Sequence, residues 1–404
     1  MTPAQRELRI ILCMTGLHIV IVPSWWPSPE QPYRGIFFTD YARAFAAAGA
    51  KVGVVFPDLV SLRMMGSGTT IPLWPKITEE ALDGIPVIRI RGLHTALRQP
   101  RFQMHRFRGW LRRGLTVYRT RYGTPDLLHA MCAIPAGWAC THFDNPLAEK
   151  VVVTELTGPF SLVMTRRGGV SYVRTGLARA AAVVAVSEQS RTEMKTAGIK
   201  REIQVCGICV SKALLAAEPV KKRSDRILRA LFVGRLTEAK GVDELVKAAV
   251  RLAPEYELDW HFVGHGPMEP LIRQQFIAAG LHERLTLHGV CDRHAVVDLM
   301  SRSDFLVLPS HGETFGMAVV EALCMGLPVV ATHGTACADF ISKDNGKLVR
   351  KRDVESLTEG LRQLIRDRDS YNPEAIAEQA RSRFSPEVLA TWYEGLFRRI
   401  VGME

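Results

Sequence analysis

Short apolar runs recur along this chain with helical patterns between them, and that alternation constrains the fold more than any other feature. HIVIVP is followed by a helical pattern from about Phe37 to Ala48 and then by KVGVVFP; further on come DLLHAM, VVVTE, AAVVAVS, RALFVG, DWHFVG, LTLHG, FLVLPS and PVVAT. Runs this short suit buried strands, and strands separated by helices predict βαβ units and parallel sheets covered on both faces. The 404 residues are too many for one ordinary domain, and a 47% hydrophobic content can fill a core in each of two. The polar, basic, proline-containing stretch Glu218 to Arg226 (EPVKKRSDR) sits between two strand patterns and reads as a linker.

The expected class is therefore α/β, with two doubly wound Rossmann-like domains facing a cleft. The expected layout is an extension over 1–16, a first domain over 17–217, a linker over 218–226 and a second domain over 227–384. A closing amphipathic helix within 385–404 (PEVLATWYEGLFRRI) should pack back on the first domain. Ile10 to Val22 has the length of a signal-peptide core, but Thr15, Gly16 and His18 interrupt it and no small-residue cleavage site follows. It is also too short to span a bilayer. Met14 is an alternative start to Met1, because MTGLHIVIVPSWWP begins directly at the first strand.

Net charge is +11, which favours an anionic partner: a phosphorylated substrate, a lipid headgroup surface or nucleic acid. Eight scattered cysteines, several inside apolar runs, suit reduced thiols and a cytoplasmic chain. Cys206-Gly-Ile-Cys209 is the one close pair, and without a second pair or nearby histidines it argues only weakly for redox or zinc chemistry. Asp367-Arg-Asp369 matches a spacing that can hold a metal, but a charged helix end is the plainer account.

The densest chemistry lies in Pro309–Thr332, PSHGETFGMAVVEALCMGLPVVAT. Glu313 and Glu321 stand eight residues apart around a strand-to-helix turn, with no lysine or arginine in the segment. Glu321 falls on a helix that is otherwise apolar, where a carboxylate is costly unless something hydrogen-bonds it. Upstream, ALFVGRLTEAKGVDELVKAAVRL places Arg235 and Lys240 just before a helix beginning near Val242. Cations there oppose the helix dipole, which makes sense if an anion such as a diphosphate binds among them; the competing account is local neutralisation by Glu238 and Asp243. Gly234 and Gly241 allow close backbone approach. The turns Val263-Gly-His-Gly-Pro267 and His288-Gly-Val-Cys291 are weaker signals of the same kind.

In the first half, Pro23-Ser-Trp-Trp-Pro27 leads to Tyr33-Arg-Gly-Ile36, and its tryptophans are either a sugar-stacking platform or packed core aromatics. From Arg98 to Arg121 the chain carries eight arginines and no acidic residue, interleaved with Phe102, Phe107, Trp110, Leu111 and Tyr118. Such a surface suits an anionic membrane interface or a phosphorylated acceptor. A solvated helix face is the bland account, and nucleic acid ranks third for want of a recognisable binding module.

These residues in this order resemble the family-4 retaining glycosyltransferases of the GT-B fold, on the Glu313-x7-Glu321 pattern and on Gly234-Arg-Leu-Thr-Glu-Ala-Lys-Gly241. The opening PSWWPSPEQPYRGIFFTDYARAFAAAGAKVGVV is similar to the subgroup associated with surface-polysaccharide assembly. The resemblance implies a nucleotide-diphosphate-sugar donor, a glycan or lipid-linked acceptor, no required metal, and work at the cytoplasmic face of the membrane. It implies that Arg235 and Lys240 grip the diphosphate, that Glu321 binds the ribose and that Glu313 contacts hydroxyls of the transferred sugar. The N–H groups of Phe315, Gly316 and Met317 would meet the sugar-phosphate, Val290 and the Gly264 turn would border the nucleotide, and Gly35 would face donor and acceptor. His129 either serves the sugar side or is a core histidine. Three positions depart from the family pattern: Met131 where a second histidine is common, Leu156 where histidine is common, and Cys206 at the start of a loop that usually reads Asn-Gly-Val/Ile-Asp. A catalytically impaired partner protein of the same fold is the alternative function.

Overall fold

The computed structural model describes residues 13–28, 30–61, 72, 74–94, 100–143, 146–165, 169–222 and 227–403. Most of the expected extension, the end of the expected linker, and Arg98 lie outside the described residues. The chain divides into two compact units, one ending at Cys209 and including Pro386 onward, the other running from Val210 to Ser385.

In the first unit, β1 (His18–Pro23), β2 (Lys51–Ser61), β3 (Lys76–Leu82), β4 (Ile85–His94), β5 (Leu127–Met131), β6 (Val151–Glu155), β7 (Ala182–Ala185) and β8 (Ile203–Val205) form one sheet. Its order is β3-β4-β2-β1-β5-β6-β7-β8, parallel except for the β3–β4 hairpin. That hairpin has a physical reason: β3 reads KITEEAL, too polar for a sheet centre and well suited to an edge. On β4, Arg89 is buried and held by Glu80 at 2.7 Å, Asp58 at 3.2 Å and the Pro27 carbonyl at 2.9 Å. The helix Pro100–Tyr122 packs on β2 and β4. Gly114 permits the approach, since a Cβ there would stand 2.5 Å from Ile90. The closing helix Pro386–Val401 belongs to this unit, where Tyr393 and Phe397 pack against Tyr41 and Phe45 of the helix Ile36–Ala47.

The second unit holds β9 (Leu228–Val233), β10 (Leu258–Val263), β11 (Leu285–Gly289), β12 (Phe305–Leu308), β13 (Val329–Thr332) and β14 (Gly346–Val349) in the order β11-β10-β9-β12-β13-β14. Every pairing is parallel. Counted within the unit the order is 3-2-1-4-5-6, the doubly wound arrangement, and the chain reverses direction across the sheet between β9 and β12. Ligands of such sheets bind at the carboxyl ends of the strands beside that reversal. Residues 210–217, expected with the first domain, lie in this unit: Val210 N–H donates to the Phe384 carbonyl at 3.0 Å.

Candidate active site

The loops after β9 and β12 run over each other. His311 N–H donates to the Ala239 carbonyl at 3.0 Å. Gly241 has φ +70°, and a Cβ there would lie 2.1 Å from the Pro309 carbonyl oxygen, so the crossing itself requires glycine. The loop after β10 is locked to its neighbours in the same way. Gly264 has φ +132°, a Cβ on it would strike the Gly234 carbonyl at 1.9 Å, and its N–H donates to the Gly289 carbonyl at 2.7 Å. The glycines at these strand ends are therefore structural necessities of a closely packed loop cluster. Val290, next after Gly289, is exposed.

Within the cluster, Lys240 Nζ is ion-paired and hydrogen-bonded to Glu313 Oε1. Ser310 Oγ donates to the same oxygen at 2.8 Å, and the Ser310 carbonyl accepts from Thr332 Oγ1 at 2.7 Å. The positive charge absent from Pro309–Thr332 thus comes from the β9 loop. Local neutralisation by Asp243 does not occur, because that carboxylate pairs with Lys247. Arg235 is exposed and has no carboxylate partner among the described residues. Ser310 is a contributor that sequence reasoning missed; its one signal is its place between the strand end and the acidic turn.

The helix Met317–Cys324 begins at Gly316, whose φ of +88° and missing Cβ let Cys337 Sγ approach; a Cβ would stand 2.1 Å from that sulfur. The Cys337 thiol is pushed up to about 12 by burial and by the Glu313 carboxylate. The N–H groups of Phe315, Gly316 and Met317 have no acceptor among the described residues, as the first turn of a helix leaves them. Phe315 itself is buried against Phe340 and Phe384. Glu321 is half-buried, one turn beyond Met317 on the same face, and it is not without a partner in the protein.

In the first unit the carboxyl ends of β1, β2 and β5 border a cavity of about 290 Å³ lined by Ser24, Trp25, Arg34, Asp58, Gln103 and Thr157, among others. Gly35, with φ +76°, starts the helix Ile36–Ala47, and a Cβ there would lie 2.7 Å from the Trp25 ring. The two tryptophans divide: Trp26 is core at 6% exposed, while Trp25 packs over Gly35 and lines the cavity. Glu155 was not foreseen. It is wholly buried at the end of β6, and its two oxygens accept from Ala133 N–H and Thr157 N–H, each at 2.7 Å. Burial raises its carboxyl above the ordinary range, against the pull of those donors.

His129 corrects the reading that assigns it to the sugar side. It is 0% exposed, stacked on Phe45, in contact with Tyr41, Tyr393 and Phe397, and hydrogen-bonded through Nε2 to Thr154 Oγ1 at 2.7 Å. Burial drives its pKa down to about 3. A group enclosed by core aromatics cannot touch a substrate. Cys206 and Cys209 are buried free thiols, and burial raises Cys206, the reverse of a reactive redox cysteine. Asp367 caps the helix Val354–Arg366 and pairs with Lys347 at 2.6 Å, while Asp369 stands beside Arg368.

Residues 35–206 match the glycosyl transferase 4-like domain, and residues 217–383 match the glycosyl transferases group 1. The chain belongs to the glycosyltransferases of the GT-B fold. This glycosyltransferase is 26% identical over 362 residues to TuaC of Bacillus subtilis (strain 168), a glycosyltransferase assigned to teichuronic acid biosynthesis, covering 85% of this chain and 88% of the other. Among solved structures, sucrose-phosphate synthase from Thermosynechococcus elongatus superposes with a TM-score of 0.75 at 19% identity, over 96% of this chain and 100% of that one. Anabaena HepE in complex with UDP and glucose superposes with a TM-score of 0.69 at 17% identity, over 95% and 100%.

Proposed function

We propose that this glycosyltransferase transfers a hexose-like sugar from a nucleotide-diphosphate-sugar donor to a glycan or lipid-linked acceptor, with retention of configuration, in surface polysaccharide or glycoconjugate synthesis. The observation that carries this reading is the Lys240–Glu313 pair at the β9–β12 reversal of the second sheet, between two glycine-dependent loops and a helix N-terminus. HepE, bound to UDP and glucose, and the teichuronic acid glycosyltransferase supply the ligand class and the setting by analogy.

The chemistry follows from what each group has left to offer. Lys240 spends one of three N–H donors on Glu313, so two remain for diphosphate oxygens. Glu313 uses Oε1 for Lys240 and Ser310, which leaves Oε2 for a hydroxyl of the transferred sugar. Arg235 supplies a planar cation for the phosphates, and the N–H groups of Phe315, Gly316 and Met317 complete an anion cradle. Glu321 serves the ribose, and the Val290 and Gly264 turns border the base. As the bond from the anomeric carbon to phosphate oxygen lengthens, charge grows on the diphosphate where these donors stabilise it. The acceptor oxygen attacks from the same face and passes its proton to the departing phosphate oxygen. No protein nucleophile takes part.

The second reading, a catalytically impaired partner or membrane-associated binding protein of this fold, is favoured by one observation: Met131, at the position where the resemblance implies a second histidine, is a fully buried core side chain. Screening the purified protein against nucleotide sugars for binding and slow donor hydrolysis, with Glu313→Ala and Arg235→Ala alongside, separates the two. Donor binding with hydrolysis supports the enzyme, and binding without turnover on any acceptor supports the second reading. No donor binding removes the enzyme reading.

A further inference from the structure

The cavity of about 290 Å³ in the first unit holds polar groups that the fold does not use up, set beside an apolar wall of Trp25, Phe56 and Phe107. Ser24 is spent inside the protein: its hydroxyl donates to the Met131 carbonyl at 2.8 Å and accepts from Ala136 N–H at 3.2 Å. Asp58 is half spent. Its Oδ2 lies 3.2 Å from Arg89 Nη1 and 3.7 Å from Arg91 Nη1, which meet its charge, while Oδ1 has no partner among the described residues. The Gln103 amide has none either. Arg34 keeps its charge. Its Nη1 donates to Gln31 Oε1 at 3.2 Å, its N–H donates to the Gln31 carbonyl at 3.2 Å, and Gln31 is itself held by Ser28 Oγ at 3.2 Å. A neutral amide therefore steers the guanidinium, and no carboxylate pairs with it among the described residues.

We propose that this cavity seats one sugar ring bearing an acidic group, a carboxylate or a phosphate, and that Arg34 selects for the acid while Asp58 Oδ1 and Gln103 take ring hydroxyls. The planar fork of a guanidinium matches both kinds of acid. A bare carboxylate would repel such a ligand, but the charge of Asp58 is already met by two guanidiniums, so its remaining oxygen serves as a hydroxyl acceptor. The size suits a single ring, since about 290 Å³ stands at the small end of ligand pockets. An inorganic anion would leave the aromatic wall and Asp58 Oδ1 unused. Naming this sugar the acceptor rests on the glycosyltransferase reading above; its binding does not, because every residue invoked belongs to the first unit.

The test is ligand-observed NMR titration of the full chain, without nucleotide and at fixed ionic strength. The probes are the methyl glycosides of glucose and galactose, the corresponding methyl uronides and the methyl glycoside 6-phosphates. At least one acidic probe should bind about tenfold or more tightly than its neutral counterpart, and the tighter of the two acids names the group. Arg34→Gln should cancel that preference and leave the affinity for the neutral glycoside as it was, which the loss of a merely structural arginine would not do. Arg34→Lys keeps the charge without the fork and should recover part of the preference. Because Asp58 also braces Arg89, the hydroxyl contacts are read from Gln103→Ala, which should weaken neutral and acidic probes alike. Arg113→Gln, at an exposed position outside the cavity lining, is the control and should bind as wild type. Equal affinity for neutral and acidic probes, no binding of any of them, or an intact preference in Arg34→Gln would overturn the proposal. So would inorganic phosphate or acetate binding as tightly as the best acidic probe, since the sugar would then contribute nothing. Nucleotide binding by Arg34→Gln should match wild type; an acid preference in a protein that binds no nucleotide would support this seat while removing the donor-site reading.

Discussion

Lys240 and Glu313, 73 residues apart in the chain, form an ion pair with only 20% and 11% of their side chains exposed, where the second sheet reverses direction. The pair holds the β9 and β12 loops together and presents one unused face of each partner. Truncating either should therefore affect both stability and ligand binding. Among the described residues, Lys240→Met leaves the largely buried Glu313 carboxylate with Ser310 as its donor, and unfolding in denaturant should show a loss of about 1–3 kcal/mol, between the surface and fully buried limits. Glu313→Gln keeps an acceptor for Lys240 and should lose less.

Gly316→Ala should be costly although it adds a single methyl. The left-handed backbone and the Cys337 sulfur in the path of the new Cβ together predict about 1–3 kcal/mol of destabilisation by thermal unfolding. Gly280→Ala, also at positive φ but with open space around its Cβ, is the comparison that isolates the clash.

His129 should act on stability and not on turnover. Its folded pKa of about 3 lies below the ordinary 6.5, so between those values the unfolded chain takes up a proton that the folded chain refuses. The contribution is fully present above about pH 6.5 and is lost as pH falls, at about 1.4 kcal/mol per pH unit until about pH 3. Wild type compared with His129→Phe across that range should show this slope as their difference. A parallel pair of curves would mean the imidazole is already charged in the fold.

Glu155→Leu should remove the acceptor of two N–H groups at once, those of Ala133 and Thr157. A loss of about 2–4 kcal/mol is expected by denaturant unfolding. Glu155→Gln retains a carbonyl for one of them and should recover about half.

Much of the donor half was legible because its signals are local. Strand, glycine loop and helix follow one another within Ala230–Leu252 and again within Phe305–Cys324, and the helices start at Val242 and Met317 as the pattern predicts. The ion pair was not legible, because charge complementarity across 73 residues appears only once β9 and β12 are known to be neighbours. His129 was open for a related reason: two of the rings that enclose it, Tyr393 and Phe397, come from the closing helix. The β3–β4 hairpin escaped because KITEEAL carries no apolar run and β4 buries an arginine satisfied by Glu80 and Asp58.

Whether the β9 and β12 loops of the second unit bind a nucleotide-diphosphate sugar can be read by titration calorimetry with nucleoside diphosphates and their sugars. At least one should bind wild type. Arg235→Ala, at an exposed position with no carboxylate partner among the described residues, should bind it about tenfold to a hundredfold more weakly with unfolding unchanged. No heat from any nucleotide, or equal affinity in the Arg235→Ala protein, would mean that these loops do not hold the donor diphosphate.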